Sequence, residues 1–158
     1  MKALQLIKYG EIKDSLAINE VSKPIVHASD VLIEVKAAAI NPIDKHIILG
    51  NLQSMLPVPQ PSTLAYDVSG IVVEKGAEVN NFEVGDMVYA RVPQEQMGTI
   101  AEYVAVTNVA VSKKPGNISF EEAASLPLAG LTALQSLEYA GIKENDKILI
   151  HAGSGGVG

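Results

Sequence analysis

The sequence predicts a mainly β fold, a sandwich or partly open barrel with short helices, followed by a helix and the first strand and glycine-rich turn of an incomplete parallel α/β unit. Three observations carry this expectation. Short apolar runs separated by Gly, Asn and Pro fill about two thirds of the chain. Apolar residues at helical spacing take over after Ser119. A continuous apolar strand then leads directly into Ala152-Gly153-Ser154-Gly155-Gly156-Val157-Gly158.

Taken in order, Ala3-Leu4-Gln5-Leu6-Ile7 and Leu16-Ala17-Ile18-Asn19-Glu20 read as strands divided by a turn at Tyr9-Gly10. The prolyl segment Ser22-Lys23-Pro24 separates them from the longer run Asp30 to Ile40, which alternates in part with period two. Further strands are predicted over Asp67 to Lys75, Asp86 to Val92 and Ile100 to Val106, with turns marked by Gly76, Asn80-Asn81, Gly85 and Gly98. Ser119-Phe120-Glu121-Glu122 places a hydroxyl three residues before a carboxylate, a capping box that satisfies free N–H groups at a helix start. Pro127 should end that helix, because proline disfavours helical geometry in the residue before it. A second helix is predicted over Leu128 to Ala140, with Gly141 as its left-handed C-cap. After Lys143-Glu144-Asn145-Asp146 comes the buried parallel strand expected at Lys147 to His151. Lacking neighbours, that strand should pair with a second copy or fold back onto the barrel.

Composition narrows the function. Hydrophobic residues make up 47% and charged residues 19% of 158, the balance of a folded globular chain. A net charge of −6 and a longest basic run of only Lys113-Lys114 argue against a nucleic-acid surface. No apolar run approaches the length of about 18 residues needed for a membrane span, and the N-terminal residues show no signal-peptide core, so a cytoplasmic location is expected. The chain contains no cysteine. That removes disulfides, thiolate nucleophiles and cysteine-based metal sites.

The terminal glycine pattern follows a strand, where a turn lets backbone approach a pyrophosphate. Gly153, Ser154, Gly155, Gly156 and Val157 are therefore candidate cofactor-binding residues; the other reading is a flexible tail. Met55 to Pro61 is a stiff prolyl loop that either frames a cleft or connects strands.

Six segments, in order, resemble the medium-chain dehydrogenase/reductase superfamily, and within it the zinc-free quinone oxidoreductase and enone reductase branch. They are Ala38-Ala39-Ile40-Asn41-Pro42-Ile43-Asp44, Tyr66-Asp67-Val68-Ser69-Gly70, Val84 to Ala90, Ala101-Glu102-Tyr103-Val104, Leu126 to Ala133 and the terminal glycine turn. The resemblance implies a GroES-like β-barrel catalytic domain over residues 1–122. Residues 123–158 would be the linking helix and truncated start of a dinucleotide-binding Rossmann domain. It also implies NADPH as cofactor, a quinone or enone as substrate, and a homodimer for the full-length protein.

Zinc-dependent relatives carry cysteine where this chain has Asn41, histidine where it has Tyr66, and an acid where it has Asp67. One carboxylate without thiolate or imidazole is too poor a donor set for zinc, so no metal is expected. The remaining chemistry is hydride transfer to an electron-poor substrate.

By this resemblance the catalytic candidates are Asn41, His46 and Tyr66, and the cofactor-binding candidates Asn41, Asp44, Thr132 and the glycine turn. Each has a structural alternative. Asn41 either bonds near the nicotinamide or caps the turn before Pro42. Asp44 either supports a ribose contact or caps a helix. His46 either relays a proton or lies exposed on a short helix. Thr132 either bonds the carboxamide or its own helix backbone. Asp67 reads as a backbone support. Ile47-Ile48-Leu49 suggests an apolar pocket wall, while His27 and His151 read as surface and strand-end residues. The 158 residues by themselves are expected to be inactive, and the rival reading is a stand-alone GroES-like binding module without catalysis.

Overall fold

The computed structural model describes residues 1–158. Eight strands form two antiparallel sheets. One, with order β2-β1-β4, joins β1 (Lys2–Leu6), β2 (Leu16–Glu20) and β4 (Ser62–Thr63). The other joins β3 (Asp30–Ala39), β5 (Asp67–Lys75), β6 (Met87–Arg91), β7 (Tyr103–Thr107) and β8 (Val111–Lys113) in the order β7-β3-β5-β6-β8.

The sheets touch without closing. Leu4 N–H donates to the Ile100 carbonyl at 2.9 Å, and Glu102 N–H to the Lys2 carbonyl at 3.2 Å, just before β7. Alternate residues of the strands turn inward and make one core, in which Leu6, Val31, Ile33, Val68, Val72, Val88 and Val106 are fully buried. β-branched valine and isoleucine dominate that core because they pack well on a pleated surface. This is the partly open barrel that the sequence predicts.

Four helices complete the chain: α1 (Ile12–Ser15), α2 (Pro42–Ile48), α3 (Phe120–Ser125) and α4 (Pro127–Ala140). The capping box at Ser119 is present. Ser119 N–H donates to Glu122 Oε2 at 2.7 Å, and Glu122 N–H to Ser119 Oγ at 3.1 Å. α3 lies across β3 and β5, and the buried Ser69 hydroxyl donates to its Phe120 carbonyl at 2.5 Å. Pro127 divides the two C-terminal helices, occupying the first turn of α4 where its missing N–H costs nothing. Gly141 ends α4 with φ of 65°, in the left-handed region that glycine enters without strain.

One expected element is absent. Lys147 to His151 forms no strand and does not fold back onto the barrel; Leu149 is 83% exposed. A parallel strand draws its hydrogen bonds from neighbours on the same sheet, and no strand of this chain pairs with it. No helix is long and apolar enough to cross a membrane.

Candidate functional site

The site begins where β3 runs into α2. Pro42 fixes the backbone dihedral needed for a first helical turn. Asn41 before it is the N-cap, in extended geometry. Asp44, two residues beyond Pro42, turns back so that its Oδ2 accepts from Asn41 N–H at 2.6 Å, while Asp44 N–H donates to the Asn41 carbonyl at 3.0 Å. Asp44 is thus a buried helix cap.

Asp67, the first residue of β5, is completely buried beside this turn. Its Oδ2 accepts twice, from Asn41 Nδ2 at 3.0 Å and from Leu128 N–H at 3.1 Å. Leu128 lies in the first turn of α4, where backbone donors have no partner inside the helix, and residue Leu126 at the N-cap supplies none. A carboxylate from a different element therefore caps α4. Asn41, Asp44 and Asp67 tie the N-termini of α2 and α4 to the edge of the barrel, the backbone-supporting role expected for Asp67.

Burial dominates the electrostatics of the cluster. Desolvation pushes the Asp67 carboxyl above the ordinary carboxylate range, opposed by its bonds from Asn41 and Leu128 and by the positive charge of Arg91. Asp44 is pushed up too, first by burial and further by the charge of Asp67, against the bond from Asn41 N–H. The Oδ1 atoms of both residues are buried without a partner in the chain. With one Nδ2 hydrogen given to Asp67, Asn41 can still offer a ligand its Oδ1 acceptor and a second N–H.

Tyr66 precedes Asp67 and is only 1% exposed. Desolvation, and then the charge of Asp44, raise its phenol above the ordinary tyrosine value, so it stays protonated as a potential donor. The Arg91 guanidinium stacks over its ring, 5.2 Å from the centroid.

Two cavities flank this stack. The larger, about 690 Å³, lies between Ile43 of α2, the Arg91 and Pro93 end of β6, and the Leu128, Leu131 and Thr132 face of α4. The smaller, about 180 Å³, is framed by the prolyl loop at Leu56 to Pro59 and contains Tyr66. Asn41, Asp44 and Tyr66 are thus brought together around Asp67, and Thr132 lines the adjoining cleft. The Thr132 hydroxyl donates to the Leu128 carbonyl of its own helix at 2.7 Å, the structural alternative given above.

Three groups singled out in the sequence lie away from this cluster. His46 is exposed, and its Nδ1 pairs with Asn51 Nδ2 at 3.2 Å instead of lining the cleft beside Ile43. Ile47 and Ile48 are core residues, 1% and 6% exposed, so they do not form a pocket wall; the inward face of α2 takes them into the barrel. The residues from Gly153 to Val157 are exposed, and no hydrogen bond joins their turn to the barrel. Sequence reasoning missed Arg91 and the Leu128 backbone donor. The signal for Arg91 was that it is the chain's single arginine.

The donor sets decide which groups fit. No three His, Cys, Asp or Glu side chains converge as a metal site requires, and Asn41, Tyr66 and Asp67 supply one carboxylate between them. Zinc does not fit these residues. The terminal turn is tight enough to need a glycine at Gly158, where a Cβ would run into the Ala152 carbonyl, and its Gly155 N–H is given to that carbonyl at 2.8 Å. Such a turn presents bare backbone.

Residues 27–116, more than half of the chain, match the alcohol dehydrogenase GroES-like domain. The chain belongs to this family. The GroES-like chain is 40% identical to the 2-methylene-furan-3-one reductase of Solanum lycopersicum, covering 100% of this chain and 42% of that one. It is 37% identical to the NADPH-dependent alkenal/one oxidoreductase of Arabidopsis thaliana, again over 100% of this chain and 42% of the other. The quinone oxidoreductase of Coxiella burnetii superposes with a TM-score of 0.87 at 40% identity, covering 99% of this chain and 50% of that one. The chain spans about half the length of the curated relatives it matches. These relatives are quinone oxidoreductases and enone reductases.

Proposed function

We propose that this GroES-like domain is the catalytic half of a zinc-independent, NADPH-dependent reductase of quinones or α,β-unsaturated carbonyls. The observation that carries the reading is the cleft bounded by Ile43, Arg91 and Thr132, with the Asn41–Asp67–Leu128 cluster at its edge and no metal donor set beside it. Residues 1–122 form the catalytic domain and residues 123–158 open the dinucleotide-binding domain. The activity belongs to a protein about twice this length, as in the relatives, expected to be a cytoplasmic homodimer. The 158 residues alone are expected to show no turnover.

NADPH, when bound, supplies the hydride. Gly153, Ser154, Gly155, Gly156 and Val157 would hold its pyrophosphate through backbone amides, and Thr132 would contact the carboxamide end on giving up its bond to Leu128. Asn41 offers Oδ1 to a donor on the cofactor, held in place by Asp67 and by the cap from Asp44. Tyr66, kept protonated, donates toward the substrate oxygen, and His46 relays a proton from solvent.

NADPH oxidation by the full-length protein against quinones, enones and simple aldehydes, with and without a chelator, tests this reading. Chelator-insensitive turnover of quinones or enones is expected, and a His46→Ala variant with an unaltered pH profile would remove His46 from the set. Absence of both turnover and NADPH binding would leave the GroES-like binding module as the function.

A further inference from the structure

Arg91 is the one arginine in a chain of net charge −6. It ends β6, directly across from Asp67 in the register of β5 and β6. A cation opposite an anion in a sheet ordinarily pairs with it. Here it does not: Asp67 Oδ2 accepts from Asn41 and Leu128, and its buried Oδ1 has no partner in the chain. The chain's four ion pairs join the amino terminus to Glu20, Lys36 to Glu34, Lys75 to Glu83 and Lys113 to Asp86, so Arg91 enters none of them. Nor does its guanidinium donate any of the side-chain hydrogen bonds around the Tyr66 stack.

The position is also specific. Arg91 lines the 690 Å³ cleft and a neighbouring hollow of about 220 Å³ bounded by Leu126, Pro127 and Leu134. Neither wall contributes a lysine or a carboxylate; in the larger cleft Ile43, Val109, Leu128 and Leu131 make an apolar side that faces Ser112, Thr132 and Gln135 on the same lining. A half-buried guanidinium stacked on a fixed aromatic ring is pre-organised. Its planar fork of donors matches a carboxylate in two parallel bonds. One cation without a helper matches one negative charge, whereas a phosphate dianion ordinarily gathers several donors. Apart from Arg91 the acidic chain repels anions, which makes this the one place in the cleft where an anion is favoured.

Resting on the reductase reading above, we propose that Arg91 determines substrate specificity by binding a carboxylate, so that the preferred substrate class is the unsaturated ketone carrying a carboxylate group. The apolar side formed by Ile43, Leu128 and Leu131 takes the carbon skeleton and Arg91 takes the charged end.

The test uses the full-length protein, its Arg91→Gln and Arg91→Lys variants, and two probes of one shape and different charge, (E)-4-oxopent-2-enoate and its methyl ester. Wild-type protein is expected to prefer the acid. In Arg91→Gln the ratio of kcat/KM for acid over ester should fall by about tenfold to a hundredfold, the range expected for charge-assisted hydrogen bonds. Most of the change should lie in KM, with Arg91→Lys between the two. Calorimetric titration with the unreactive 4-oxopentanoate, without NADPH, should show the same order of affinities.

An acid-to-ester ratio unchanged in Arg91→Gln, or a wild-type preference for the ester, overturns the proposal. So does weakened NADPH binding in the variant, which would assign Arg91 to a cofactor phosphate. A lowered melting temperature with equal loss on both probes also overturns it, assigning Arg91 to contacts with the rest of the longer chain. If neither probe is reduced, the reductase reading fails for this substrate class, and the titration with 4-oxopentanoate still decides whether Arg91 binds a carboxylate.

Discussion

Replacing Asp67 by asparagine and by alanine separates its two physical effects. The carboxylate oxygen Oδ2 serves two donors, Asn41 Nδ2 and the Leu128 backbone N–H. Asparagine keeps one oxygen in that place, whereas alanine leaves both donors facing a void. An unpaired buried donor costs roughly 1–3 kcal/mol, so with two donors Asp67→Ala should be about 2–6 kcal/mol less stable than Asp67→Asn in urea unfolding of the intact protein. The charge adds a pH dependence of known sign. Burial raises the Asp67 carboxyl above its ordinary value, so between roughly pH 4 and the raised value the native state binds more protons than the unfolded state. Stability from this group is therefore present at the acid end of that window and is lost as pH rises through it. Asp67→Asn should abolish the slope and also relieve Asp44, whose carboxyl is raised in part by Asp67. Measured at closely spaced pH values, the stability of Asp67→Asn relative to wild type should climb through the window and level off above it. Equal stability of the alanine and asparagine variants, or a relative stability that falls as pH rises, would refute the reasoning.

Two further substitutions probe the frame that carries the site. Gly70→Ala, where a Cβ would collide with the Glu34 carbonyl oxygen and approach Ile33 Cγ2 to 2.7 Å, should force β3 and β5 apart and cost roughly 3 kcal/mol or more; a wild-type urea midpoint would contradict it. Ser119→Ala, which leaves Glu122 N–H without its cap at 3.1 Å, should cost about 1 kcal/mol, with the loss seen as a lower thermal midpoint and no change in the cleft's ligand binding.

The parts of the fold that were legible are those whose cause is local. The strands at Leu16–Glu20 and Asp67–Lys75 announce themselves by apolar runs between turn residues, and the helix starts by Ser119 and Pro127. Two strands went unread. β4 has only two residues and pairs with β1, distant in sequence, while β8 contributes Val111 alone to the core; neither is long enough to show a period. Lys147 to His151 fails in the opposite direction, because its local pattern is strong and the neighbours that would make it a strand are not in this chain. In the site, Asn41 and Asp44 were legible because a helix cap is a matter of three or four adjacent residues. Arg91 was not, since its meaning depends on the register of β6 against β5 and on where Asp67 spends its oxygens.

That last dependence changes what an acidic residue beside Tyr66 can signify. In zinc-dependent relatives the equivalent position belongs to the metal pattern, and its survival in a chain without the other two ligands suggests a remnant. The structure gives it a present task. α4 begins with Pro127, and Leu126 offers its first turn no side-chain acceptor, so the Leu128 donor has to be met from outside the helix. Asp67 is the group that reaches it, and a negative charge at a helix N-terminus is additionally favoured by the helix dipole. An acceptor oxygen at this position therefore serves the joint between barrel and helix whether or not a metal ever binds nearby. Asp67 is accounted for by this cap without a metal, and the donor types at Asn41 and Tyr66 are what set these residues apart from a zinc site.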